Sequence, residues 1–315
     1  MKSRILLLIL ILFFILIKCS NNTNYKEFIP VYDENSKYAR WSPDCSKIFF
    51  IYDDYFNPYN DIGIFPNNQC DAICYIDLDG KNLNIIDMKN NYFSEIEDFS
   101  ISRNGDYICF SAIETDNDIC FLYKIPTYGG SPVKLFNDSE YKYNYSPTWS
   151  KNDEYIYFVR YTYPGNSYIW KIKPDGNELS KVNIEIDGYI FSIRCSNDGE
   201  YLLISYQNEK DGNNVIISDV YGSKSWNIVN DPVLQGDISN PCFSPDNKWI
   251  AFTNGFNFYI TSFNGDKSPY KLTNYDYGYS SPYSPDWSND GRWILFYKML
   301  HGIFKVEVPD EFLPK

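Results

Sequence analysis

Histidine is almost absent from this 315-residue chain, with His301 the single instance. A metal centre built on several imidazoles is excluded, and any Ser-His-Asp triad would have to use that one residue. Cations are also scarce: 28 Lys and Arg stand against 41 Asp and Glu, for a formal net charge of −13. A nucleic-acid partner needs basic side chains on its phosphates, so none is expected. No G-x-S-x-G occurs, which removes the hydrolase nucleophile elbow. Apart from Cys19, the cysteines (Cys45, Cys70, Cys74, Cys109, Cys120, Cys195, Cys242) are odd in number and irregular in spacing, which is no disulfide framework. One or two bridges stay open if the chain is exported. Cys70-x3-Cys74 lacks a second ligand pair, and Asp116-Asn117-Asp118 and Asp53-Asp54 lack a full calcium-loop signature, so no metal or cofactor is expected.

What is abundant is aromatic: 30 Tyr and 22 Phe, within an apolar fraction of 44%. That is enough for a core and favours strands. The N-terminus is different. Lys2 and Arg4 precede an apolar run over residues 5–17, 13 residues long. It is short for a bilayer span, which takes about 20 residues, and fits the core of an export signal. Leu16-Ile17-Lys18-Cys19 resembles a bacterial lipoprotein signal, which implies a lipid on Cys19, although Lys18 stands where that family has a small residue. Residues 1–19 are therefore expected to be a signal and 20–25 a tether. The expected location is the cell envelope, on a membrane, facing the periplasm or the exterior.

The rest of the chain repeats. WSPDCSKIFF from Trp41 recurs as ISRNGDYICF from Ile101, WSKNDEYIYF from Trp149, CSNDGEYLLI from Cys195, FSPDNKWIAF from Phe243 and WSNDGRWILF from Trp287, 44 to 60 residues apart. Units of that period read as blades of about four short strands. The second column is Ser in all six, placed to bond the backbone of the next turn. The fourth is Asp or Asn, which closes a tight turn on its own backbone. The fifth is Gly, Asn or Asp, suited to positive φ, except for Cys45, where strain is expected. The last three columns are apolar without alternation, the mark of a strand covered on both faces.

A strand–Gly turn–strand pattern follows five of the repeats, as in CYIDLDGKNLNII from Cys74. The sixth ends after Ile303-Phe304-Lys305-Val306-Glu307-Val308. Its missing strand has a candidate in Lys26-Glu27-Phe28-Ile29-Pro30-Val31-Tyr32, and pairing the two would close a ring and remove both edges. The expectation is an all-β, six-bladed propeller over residues 26–308, closed by its N-terminal strand, with a tail over 309–315.

These repeats resemble the WD40-like "PD40" motif found in TolB and in the propellers of prolyl-oligopeptidase-type enzymes. Ser42-Pro43-Asp44-Cys45 and Ser244-Pro245-Asp246-Asn247 sit where that family has Ser-Pro-Asp-Gly. The resemblance implies a TolB-like envelope role in binding other proteins. The α/β domain that precedes the propeller in TolB, and the hydrolase domain that follows it in the peptidases, have no counterpart here.

Function must come from a site on the scaffold. The turns of the repeat share one face, while the longer interblade loops share the other and are rich in Tyr: Tyr55 and Tyr59, Tyr141 and Tyr143, and Tyr275, Tyr277 and Tyr279. Variable loops on a rigid frame carry binding, and Tyr gives contact area at low entropic cost. The residues just before the repeats include Arg40 and Arg194, on opposite blades. They would either present two positive charges to an anion in the channel or pair with carboxylates, Asp286 being adjacent to Arg40 by closure. The reading is a non-enzymatic module that binds an envelope protein or peptide; the alternatives are a glycan-binding surface protein and a propeller lyase or hydrolase.

Overall fold

The computed structural model describes residues 25–33, 36–53, 71–89, 93–114, 118–210, 212–229, 234, 238–275, 281–299 and 301–314. Its strands form six four-stranded antiparallel sheets arranged as blades. The innermost strands are Ser36–Trp41, Phe93–Ile101, Tyr143–Trp149, Tyr189–Cys195, Ile238–Phe243 and Pro282–Trp287, for blades 1 to 6. Phe28–Tyr32 pairs with Gly302–Glu307 as the outer strand of blade 6, with Phe28 opposite Val306. The ring is thus closed by the N-terminal strand, as the incomplete sixth repeat requires. The tail is not loose: Phe312 is buried against Trp249 and Tyr270 of blade 5. Among the described residues no helix is long and apolar enough to cross a membrane.

The apolar columns explain the stacking. Along the second strand of blade 1, Ile48 and Phe50 enter the cluster shared with blade 6, while Phe49 and Ile51 enter the one shared with blade 2. Six such clusters fill the six interfaces between blades. A strand buried on both faces therefore has no polar column, and each fully buried Phe or Ile contributes roughly 1.5–3 kcal/mol.

The repeat turn is a hydrogen-bonded device copied six times. The hydroxyls of Ser42, Ser102, Ser150, Ser196, Ser244 and Ser288 each accept from the backbone N–H five residues on. In every blade but the third the same hydroxyl donates to the Asp or Asn two residues on. The fifth column has positive φ in all six blades: 55° at Cys45, 79° at Gly105, 58° at Asp153, 76° at Gly199, 57° at Asn247 and 78° at Gly291. The three residues other than Gly fall in blades 1, 3 and 5. Each accepts from a turn N–H of the preceding blade: Cys45 Sγ from Asn289 at 3.2 Å, Asp153 Oδ1 from Arg103 at 2.6 Å, Asn247 Oδ1 from Asn197 at 3.0 Å. Cys45 is strained as expected, yet it also serves as a link between blades.

Candidate functional site

Each innermost strand carries a β-bulge three to four residues before its repeat. The register slips between Lys37 and Arg40, Ile96 and Asp98, Tyr145 and Thr148, Ile190 and Ser192, Ser239 and Cys242, and Tyr283 and Asp286. In four blades the bulged residue takes a left-handed conformation: Tyr38, Ser146, Asn240 and Ser284, with φ of 49–55°. A bulge aims consecutive side chains to the same side instead of alternating them. Here five blades send two consecutive residues into one cavity of ≈ 520 Å³ at the mouth of the channel on the interblade-loop face: Glu97-Asp98, Tyr145-Ser146, Phe191-Ser192, Ser239-Asn240 and Tyr283-Ser284. Blade 1 sends Tyr38.

The lining is sorted by blade. Blades 6 and 1 carry one aromatic wall: Tyr297 lies 5.5 Å from Tyr38 and 5.6 Å from Tyr283, ring to ring. Blades 3 and 4 carry the other, where Tyr189 contacts Tyr161 at 4.9 Å and Phe191 at 5.3 Å, and Tyr161 stacks on Tyr143. In a six-membered ring those pairs of blades are opposite. Blade 2 supplies the carboxylates Glu97 and Asp98, and blade 5, opposite it, supplies Ser239 and Asn240.

Ion pairs close the channel at its waist. Arg40, 5% exposed, donates from Nη2 to Asp98 Oδ1 at 3.1 Å and from Nη1 to the carbonyls of Ala39 and Ser284. Arg194 donates to the Ile193 carbonyl and to Ser284 Oγ, 3.7 Å from Asp98. Both guanidinium groups are engaged by protein, which favours the pairing alternative over an anion held between them. The expected pairing of Arg40 with Asp286 is corrected. Arg40 reaches Asp98 of blade 2 instead, because Asp286 Oδ2 accepts from the Trp41 backbone N–H at 2.7 Å, and burial raises its carboxyl. Glu97 is different: among the described residues its carboxylate makes no hydrogen bond or ion pair. Burial, with Glu95, Asp71 and Asp98 adding and Lys37 opposing, pushes it up to about 7.

The opposite mouth, ≈ 800 Å³, is lined by the repeat turns and by all six residues that precede the repeats: Arg40, Ser100, Thr148, Arg194, Cys242 and Asp286. Arg103 reaches across it from blade 2 to Asn197 Oδ1 and to the carbonyls of Cys195 and Ser196 in blade 4.

Of the tyrosines singled out in the sequence, Tyr143 lines the aromatic mouth and is 38% exposed. Tyr141 packs edge-on against Tyr168 and Trp170 and covers the buried Arg160. Tyr275 stacks on Phe28 at 4.2 Å and its hydroxyl accepts from the Phe28 N–H, so it fastens the closing strand. Tyr55, Tyr59, Tyr277 and Tyr279 lie outside the described residues, as does Cys19. The six described cysteines are free, five of them buried. Among the described residues no cluster of three His, Cys, Asp or Glu could hold a metal ion. Sequence reasoning missed Tyr38, Glu97, Tyr189, Phe191, Tyr283 and Tyr297. One signal was available: Ser146-Pro147, Asn240-Pro241 and Ser284-Pro285 each place Pro two residues before the repeat, and Pro inside a strand marks an edge or a bulge.

No family model matches the chain, and no curated protein does. Solved structures do. A TolB-type protein from Agrobacterium tumefaciens is 15% identical, with a TM-score of 0.63 over 88% of this chain and 91% of that one. An oligogalacturonate lyase from Vibrio parahaemolyticus is 13% identical, with a TM-score of 0.61 over 89% and 79%. A gluconolactonase from Xanthomonas campestris is 9% identical, with a TM-score of 0.62 over 90% of each chain. At these identities the likeness is one of fold. The expectation of a non-enzymatic protein is corrected here: two enzymes match the ring as well as the TolB-type protein does, so scarce histidine and a missing hydrolase motif do not mark this scaffold as non-catalytic. The chain is a six-bladed β-propeller with a TolB-like fold, one that the two enzymes share.

Proposed function

We propose that the protein is exported, held to a cell-envelope membrane by a lipid on Cys19, and binds a protein or peptide segment in the aromatic mouth of its propeller. The observation that carries this reading is the bulge repeated in six innermost strands, which concentrates tyrosine and carboxylate side chains on one cavity. Aromatic anchors in a concave, partly desolvated setting are what hot spots of protein recognition are made of. The TolB-type likeness supports the same reading. A neutral glycan is the second reading, favoured by Tyr rings beside Asn240 and by Asn213, whose buried Oδ1 has no partner. A polyanion such as an oligogalacturonate fits poorly, because Arg194, the one cation lining this mouth among the described residues, is already engaged.

The test is capture from detergent-solubilised native membranes with Tyr143→Ser and Tyr283→Ser chains. Loss of a partner held by the parent supports the reading; unchanged recovery ends it. Anchoring is tested separately by phase partition of Cys19→Ala. The released protein should be folded and aqueous, and an intact N-terminus in the detergent phase would mean an uncleaved anchor.

A further inference from the structure

Resting on that binding reading, we infer that the aromatic mouth selects a cationic head group, the alkylammonium or guanidinium of a Lys or Arg side chain in a peptide. Among the described residues three charged ones line the mouth: Glu97, Asp98 and Arg194. Asp98 is shared between Arg40 and Arg194, and the donors of Arg194 are directed at Ile193 and Ser284. The charge left over is the carboxylate of Glu97. It sits between two opposed walls of tyrosine, whose ring faces attract cations. An anion would meet the Glu97 carboxylate, and among the described residues the guanidinium groups beside it, Arg40 and Arg194, are already hydrogen-bonded to protein.

The same chain shows what such a set of groups holds. In blade 3 the fully buried Arg160 is flanked by Tyr141 at 4.3 Å, Trp170 at 4.6 Å and Phe136 at 5.3 Å, and is paired to a single carboxylate, Asp138, at 2.8 Å. The mouth offers the same elements, rings and, in Glu97, a carboxylate that no protein cation pairs with among the described residues. Occupancy should also follow pH. The charged groups acting on Glu97 are Glu95, Asp71, Asp98 and Lys37, and Lys37 is paired with Asp71 at 3.2 Å. Raising pH from 6 to 8 ionises Glu97 while a Lys ligand stays protonated, so affinity should rise.

The experiment is calorimetric titration of the full-length protein in detergent micelles at pH 8. The probes are the peptide acetyl-Gly-Lys-Gly-amide, its Nε-acetyllysine counterpart and cadaverine. The expected result is binding of the lysine peptide at least about tenfold tighter than the acetylated one, a preference lost in Glu97→Gln and kept in Glu95→Gln. Cadaverine bound as tightly as the peptide would keep the cation site and overturn the peptide source. Equal binding of the two peptides would overturn charge selection and leave the peptide reading standing. No binding of any probe, together with partner capture unaffected by Tyr143→Ser, would overturn both.

Discussion

At the turn-lined mouth six blades present one turn, with the same serine hydroxyl accepting from the same N–H six times. At the aromatic mouth the same six strands present side chains as different as Glu97-Asp98, Tyr283-Ser284 and Ser239-Asn240. The backbone device is shared at both ends, a turn at one and a bulge at the other. The difference lies in what the side chains do. A turn serine satisfies buried main-chain donors, so its identity is dictated by the fold. A bulge residue points into a cavity, and what the backbone asks of it differs from blade to blade: Ser146 accepts from the Ile193 N–H and Asn240 from the Ser284 N–H, with no one residue type repeated around the ring.

The waist between the mouths should give the largest effect. Asp98→Ala leaves Arg40 and Arg194 without their shared carboxylate in a buried setting. Breaking such a cluster by removing one partner costs about 3–5 kcal/mol. Urea unfolding would show it, and a loss below about 1 kcal/mol would mean the waist is not what holds the two ends together.

Glu97→Gln should move stability the other way. The folded carboxyl is raised from 4.5 to about 7, so the native state holds its proton more tightly than the unfolded chain does. Stability therefore falls as pH rises from 4.5 through 7. By about 1.36 kcal/mol per pH unit, the ionised side chain costs on the order of 3 kcal/mol above pH 8. The Gln variant should be more stable than the parent at pH 8 and equal to it near pH 4. A pH-independent difference would show that Glu97 is neutralised by a partner. A site residue whose removal stabilises the fold is the signature of binding rather than packing.

A third comparison sets one residue from each mouth side by side. Ser196→Ala removes the acceptor for the buried turn at Tyr201 and should cost about 1–3 kcal/mol. Tyr143→Ser, at a half-exposed ring, should cost under about 1 kcal/mol while abolishing partner capture. The reverse order would assign the tyrosines to packing and the turns to function.

What the sequence made legible follows from the same contrast. Ser, Asx and positive-φ columns repeat because hydrogen-bond geometry repeats, so the blade count, the turns and the closing strand at Phe28–Tyr32 could be read from residues alone. The aromatic mouth could not. Tyr38 and Glu97 lie in innermost strands with ordinary strand composition, and only a bulge turns them inward; Tyr283 had one sign, the Pro285 that marks its bulge. Reading tyrosines by loop instead found Tyr143, but it also selected Tyr275, which is consumed by stacking on Phe28.

The smallest effect concerns Cys45, the residue that breaks the turn pattern. Its φ of 55° is unfavourable for a side chain without a local polar group, whereas Asn tolerates that region. Blade 5 shows the alternative: Asn247, φ 57°, accepts from the preceding blade through Oδ1 at 3.0 Å, where Cys45 offers only a sulfur at 3.2 Å. Cys45→Asn should therefore keep the link, strengthen its acceptor and relieve the strain, for a gain of roughly 0.5–1 kcal/mol. Cys45→Gly would relieve the strain and lose the acceptor, and should be close to neutral. Thermal melts of the two variants separate the contributions. If Gly gains as much as Asn, the contact with Asn289 contributes nothing, and the alternation of residues around the turn-lined mouth is a matter of backbone conformation alone. If only Asn gains, the three odd-numbered blades act as acceptors that tie the ring together in pairs.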